Sequence, residues 1–130
     1  MKITNGKIIG AYRALLRLAD QPLSLDAAWK MYQLRTALQP HWDFVIGEEQ
    51  KACRLHGGRI GEGGEISFSS PQEKEAFLRQ DRALIRMETE IDRKPVEMDR
   101  KDLSDARVSV NDLDALDGLV LWRADDAEKR

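Results

Sequence analysis

Glu49, Cys53 and His56 stand at i, i+4 and i+7, so a helix would carry a carboxylate, a thiol and an imidazole on one face. Such donors could hold a metal ion, and a cysteine with a histidine could form a nucleophile pair. The set is too small for a zinc site, which takes four ligands at paired spacings, whereas the chain holds one cysteine and two histidines. Cys53 is better read as a small apolar filler flanking a helical seam. His41, between Pro40 and Trp42, falls on that seam, where burial would let it titrate near neutrality. The plainer reading is a partly exposed histidine at a kink. Glu48 and Gln80 are the other polar seam positions and could fix register, although an interface open to water near its tip accounts for them better. The run from Gly57 to Gly64 lacks the Lys-Ser/Thr of a phosphate loop and a strand before it. Asp112, Asp114 and Asp117 lack the glycine and distal glutamate of an EF-hand loop and suit the start of a helix instead. No catalytic, cofactor-binding or metal-binding residue is assigned, and no cofactor is expected.

The elements that would position these residues follow from periodicity. Ala27, Met31, Leu34, Leu38, His41, Val45, Glu48, Ala52 and Leu55 recur at alternating steps of three and four, the spacing of a coiled-coil seam. Phe77, Gln80, Leu84, Met87 and Ile91 keep the same rhythm. A helix over 25–56, kinked near Pro40, should therefore turn back through a glycine-rich bend at 57–70 into a helix over 71–92. Ser24 and Ser70 are good N-caps, Pro71 suits a first helical turn, and Gly57 suits a C-terminal cap. Before this hairpin, Thr4 or Asn5 can cap a helix over 5–19 whose apolar stripe is Ile8, Ile9, Tyr12, Leu15, Leu16 and Ala19. After it, residues 95–122 read as an edge strand at 95–98 and a short helix. Ser109 and Asp112 form a capping box there, followed by Leu113, Leu116, Leu119 and Val120. Residues 123–130 are charged and expected to fray. The fold class is mainly α: one domain built on an antiparallel coiled-coil-like hairpin, with a short N-terminal helix and a small C-terminal α/β element. At most a small sheet is expected, from 65–68 and 95–98. The core should gather away from the bend, around Tyr12, Leu15, Trp29, Tyr32, Leu34, Ile91 and Leu116.

Charged residues make up 34% of the 130 and aromatic residues 6%, the balance of helices with solvated outer faces. The net charge of −2 argues against a dedicated nucleic-acid binder. Its distribution is uneven, +4 over residues 1–35, −2 over 36–94 and −4 over 95–130, which could draw the two ends together, although solvated outer faces account for it better. No apolar stretch approaches the roughly 20 residues of a membrane span, and a lone cysteine fits a reducing compartment, so an intracellular, cytoplasmic location is expected.

The opening Lys2-Ile3-Thr4-Asn5-Gly6-Lys7-Ile8, the hairpin with its glycine tip, and the ending resemble a group of small proteins of unknown function encoded by tailed bacteriophages and prophages. In the ending, the segments that carry the likeness are Val96–Asp99, Asp102–Asp105 and Val108–Leu113. Pro40 and the number of glycines in the bend depart from the group. The resemblance implies a phage or prophage origin and an accessory role, and brings no catalytic motif. The resulting expectation is a non-enzymatic accessory or assembly protein that meets a phage or host protein. Alternatives are a holdase-like chaperone, or a nucleic-acid-associated regulator using Lys7, Arg13, Arg17, Lys30 and Arg35. Ile60, Ile66 and Phe68 at the tip, with Leu78 and Ile85 on the third helix, form the expected interaction surface. Leu78 and Ile85 would mediate a homodimer, because a two-helix hairpin covers only one of that helix's two apolar stripes.

Overall fold

In the computed structural model, which describes residues 1–123, a long helix is bracketed by different neighbours at its two ends. Strand β1 (Lys2–Thr4) leads into helix α1 (Asn5–Leu18) and then α2 (Leu25–Leu55), with β2 (Arg59–Ile60) and β3 (Ile66–Ser67) in the bend. Helix α3 (Pro71–Arg86), β4 (Glu88–Glu90), β5 (Val96–Asp99), a 3-10 turn (Arg100–Leu103), α4 (Val110–Leu116) and β6 (Val120–Arg123) complete the order. The fold is mainly helical.

The caps are local chemistry. Thr4, Ser24, Ser70 and Ser109 each accept a hydrogen bond from the amide three residues on, satisfying donors that the first turn leaves free. Asp112 completes the box with Ser109. Gly57 follows α2 at φ +77°, a conformation that favours glycine. Helix α2 runs through Pro40 unbroken, with Thr36 and Pro40 both exposed. The carbonyl that loses its amide partner therefore faces water, which can replace the bond.

Along α2 the seam residues Ala27, Met31, Leu34, Leu38, Val45 and Ala52 are buried, His41 and Glu48 half-buried, and Leu55 exposed. Cover is divided. Helix α1 packs on α2, α3 and α4 at once, which is why Ala11, Ala14 and Leu18 are buried in addition to Ile8, Tyr12 and Leu15. The main core joins these to Leu34, Leu38, Ile91, Val96, Met98, Leu116, Leu119 and Val120. Trp29 and Tyr32, expected in it, are 56% and 50% exposed because they lie off the seam. A second, small cluster at the bend holds Ala52, Cys53 and Phe77.

Three further elements differ from the sequence-based expectation. Helix α3 ends at Arg86, not at residue 92, because β1 captures the following segment: Lys2, Ile3 and Thr4 pair antiparallel with Glu90, Thr89 and Glu88. Asn5, 2% exposed, completes the stop by donating its side-chain amide to the Leu84 carbonyl (3.0 Å) and its backbone amide to the Met87 carbonyl (2.9 Å). The segments 65–68 and 95–98 do not share a sheet. Ile66–Ser67 pairs with Arg59–Ile60 inside the bend, and Val96–Asp99 pairs parallel with Val120–Arg123. Helix α4 stops at Leu116, since Gly118 turns the chain at φ +82°, and Leu119 enters the core from that turn and Val120 from the start of β6. Arg123 is a strand residue whose side chain pairs with Asp99 (3.0 Å). The rest of the expected frayed tail lies outside the described residues.

Candidate functional site

Glu49, Cys53 and His56 leave one helical face for three different partners. Cys53 is fully buried, its Sγ 3.8 Å from the Arg59 carbonyl. His56 Nε2 meets Gln80 Oε1 at 2.9 Å, and Glu49 turns to Asp81. Among the described residues no group of three or more histidine, cysteine or acidic side chains is placed to hold a metal ion. Glu48 pairs with Lys51 at 3.0 Å, and His41 stays half-buried on the seam. The C-terminal acids separate too. Asp112 takes Arg17 of α1, with Nε at 2.8 Å, while Asp114 gives only its backbone carbonyl, to Lys7 at 2.8 Å. Burial pushes the Asp112 carboxyl up, but the hydrogen bonds from Arg17 and Ser109 and the Arg17 charge outweigh it and hold the group below the usual carboxylate range.

Where α1, α2 and α3 meet, Glu49 and Asp81 form a carboxyl pair. Burial, a hydrogen bond with Asp81 and repulsion from Asp81 raise Glu49 from the ordinary 4.5 to about 8, and the Arg13 charge opposes the rise. Arg13 itself lies over the Trp42 ring (5.7 Å), which stacks on Tyr12 at 4.5 Å between centroids. So raised, Glu49 favours its protonated form, which can donate to Asp81 and link α2 to α3. The pairing depends on the rotation of α3, which spacing along the chain does not reveal.

The residues expected to form an interaction surface are largely turned inward. Ile60, Ile66, Phe68 and Leu78 are half-buried and pack on the small cluster, with Phe68 against Phe77 at 5.2 Å. Ile85 is half-buried beside the start of α1, where a Cβ on Gly6 would lie 3.3 Å from the Ile85 carbonyl oxygen.

Open apolar side chains lie elsewhere, Phe44, Leu55 and Met87 among them, and two larger features stand out. The first is a ridge on α2 made of Leu25, Trp29 and Tyr32, at i, i+4 and i+7. Trp29 stacks on Tyr32 (5.6 Å), and the Arg35 guanidinium sits 6.0 Å from the Tyr32 ring centre. A cleft of about 140 Å³ between α1 and α2 runs beside it, lined by Leu15, Ala28 and Met31 as well as Tyr32 and Arg35. The second is a groove of about 630 Å³ between the 3-10 turn, α4 and β6, lined by Leu103, Ala106, Val108, Val110, Leu113 and Trp122, with Arg100, Asp114 and Asp117 also on its walls. The ridge had a readable signal, since Leu25, Trp29 and Tyr32 make a second helical stripe outside the seam. The groove depends on the parallel β5–β6 pair and had none.

Compared with known proteins, the chain matches no family model, no curated protein and no solved structure. No helix of the described residues is long and apolar enough to cross a membrane.

Proposed function

We propose that this chain is a non-enzymatic phage or prophage accessory or assembly protein that acts by protein–protein contact in the cytoplasm of a bacterial host. The α2–α3 pair serves in this reading as an antiparallel coiled-coil-like hairpin. Phage origin rests on the sequence resemblance; the mode of action rests on the exposed ridge. Tryptophan, tyrosine and arginine are the residue types that dominate protein interfaces, and here the two aromatic rings are stacked and exposed with the half-buried Arg35 guanidinium against the Tyr32 ring. Stacking fixes their rotamers before a partner arrives, which lowers the entropy cost of docking.

The nucleic-acid alternative is weakened by the same geometry. Of its five cations, Arg17 pairs with Asp112, Lys7 bonds the Asp114 carbonyl, and Lys30 bonds Asp26 (3.0 Å) and the Glu97 carbonyl (2.7 Å). These groups spend their charge inside the molecule rather than on phosphate.

The test is affinity capture from the native host's lysate with the tagged full chain and with a Trp29→Ala/Tyr32→Ala variant. The wild type should retain a discrete partner, and the variant should lose it with an unchanged circular dichroism melt. Equal recovery by both chains would count against the ridge.

A further inference from the structure

We propose that the groove over the C-terminal segment receives the Leu25–Trp29–Tyr32 ridge of a second copy of this chain, so that copies join head to tail. The inference rests on the reading of the ridge as a docking surface and adds its receptor. The two surfaces complement each other in polarity, and in charge once the groove's own cation, Arg100, is set against its two carboxylates. The groove offers apolar walls from Leu103, Val108, Leu113 and Trp122, with Val110 80% exposed at its mouth. Asp114 and Asp117 stand on those walls, and their carboxylates make no ion pair among the described residues, whereas Asp112 beside them is taken by Arg17. The ridge offers two aromatic anchors and, next to them, Arg35, which makes no ion pair among the described residues.

Both surfaces sit on supported backbone. Ser24 at the start of α2 donates its hydroxyl to Asp102 (3.0 Å), and Lys30 holds the Glu97 carbonyl, so ridge and groove belong to one framework. No ridge residue lines the chain's own groove. Because the two surfaces differ, each copy can present a ridge to one neighbour and a groove to another. Such a heterologous contact closes into a ring or extends as a filament, rather than stopping at a two-fold dimer.

Sedimentation equilibrium of the full chain at high micromolar concentration tests this, with two variants at exposed positions whose folding is checked by circular dichroism melts. Trp29→Ala/Tyr32→Ala removes the ridge, and Leu113→Glu places a charge in the groove. The wild type should exceed the 14.8 kDa of one chain with a mass that grows with concentration, and each variant alone should stay at 14.8 kDa. An equimolar mixture of the two variants should return a heterodimer, since one keeps an intact groove and the other an intact ridge. Neutralising Asp114 and Asp117 to asparagine should weaken wild-type association several-fold at low salt. The proposal is overturned by a monomeric wild type, by either variant assembling as the wild type does, or by a mixture that stays monomeric. A chain ending at Arg123 that associates while the full chain does not would assign the groove to residues 124–130 and overturn it equally. A monomeric wild type that still captures a lysate protein through the ridge would leave the docking function standing and remove only this receptor.

Discussion

The two ends of α2 are stabilised in different ways. At its start the core draws side chains from α1, α2, β5, α4 and β6, segments separated by most of the chain. At its end, Ala52, Cys53 and Phe77 are buried with Ile60, Ile66, Phe68 and Leu78 around them, all within residues 52–78. A core of the first kind fails as a unit, while a cluster of the second kind can open locally with the remainder intact. The open ridge lies on the well-anchored half, where an anchor residue can be presented without local disorder.

Truncation gives the sharpest way to break this contrast. Leu34→Ala, at a fully buried seam position, should cost about 2–5 kcal/mol. Leu55→Ala, 72% exposed at the tip, should cost under about 0.5 kcal/mol. Equal losses in urea melts would contradict the division.

Asp112→Ala is the next largest effect, because it removes both a helix cap and the charged tie to α1. A loss of about 2–3 kcal/mol is expected, and Ser109→Ala, which breaks only the capping box, should cost about half as much. Since the Asp112 carboxyl is held below its unfolded value, its contribution is present above the unfolded value and is lost as pH falls through the folded one. An Asp112→Asn variant that kept the wild-type acid sensitivity would remove Asp112 as a source of it.

The carboxyl pair midway along α2 predicts the opposite sign. Glu49 is raised in the folded state, so the stability it contributes is fully present below the ordinary 4.5 and is lost as pH rises through about 8. Glu49→Gln should therefore stabilise the protein at pH 9 and change little at pH 5. Solvent screening at a half-buried group holds the gain to on the order of 1–2 kcal/mol. Melts of both chains at the two pH values decide it, and a variant that is weaker at pH 9 would refute the pairing.

The smallest expected effects are at two glycine turns, Gly118 after α4 and Gly64 in the bend. Gly118→Ala forces an alanine to φ +82° with nothing crowding its Cβ, so about 1 kcal/mol of backbone strain is expected. Gly64→Ala, at φ +84° and equally open, strains only the tip hairpin. A global melt should register Gly118→Ala and scarcely register Gly64→Ala, while hydrogen exchange of the Gly61 amide, bonded to the Glu65 carbonyl, should accelerate in the latter.

What could be read from the chain was what is decided locally. Ser24, Ser70 and Ser109 cap helices through the amide three residues on, and Gly57 ends one through its own backbone, so their chemistry is complete within a turn. The seam of α2 was legible for the same reason. The end of α3 was not, because Asn5 and β1 impose it from more than 80 residues away, and Leu84, Met87 and Ile91 keep the helical spacing past the true stop. Leu116, Leu119 and Val120 likewise fit a helix until Gly118 is allowed its turn. Trp29 and Tyr32 drew a core assignment through their place far from the bend, although their offset from the seam pointed outward. At the candidate site, Glu49, Cys53 and His56 share a helical face in the sequence, and α3 and β2 give them separate partners.

The link between β1 and β4 sets an order in time. Local helices form in about a microsecond, whereas pairing residues 2–4 with 88–90 must first close a loop spanning most of the chain. Until Asn5 arrives, nothing stops α3 at Arg86, and the helical spacing through Ile91 favours another turn. The last turn of α3 is then expected to unwind late, as β1 seats and draws Ile91 into the core. Stopped-flow circular dichroism should show helical signal that overshoots its final value and then declines. Asn5→Ala should slow that decline, and a signal that climbs smoothly to its endpoint in the wild type would exclude this sequence of events.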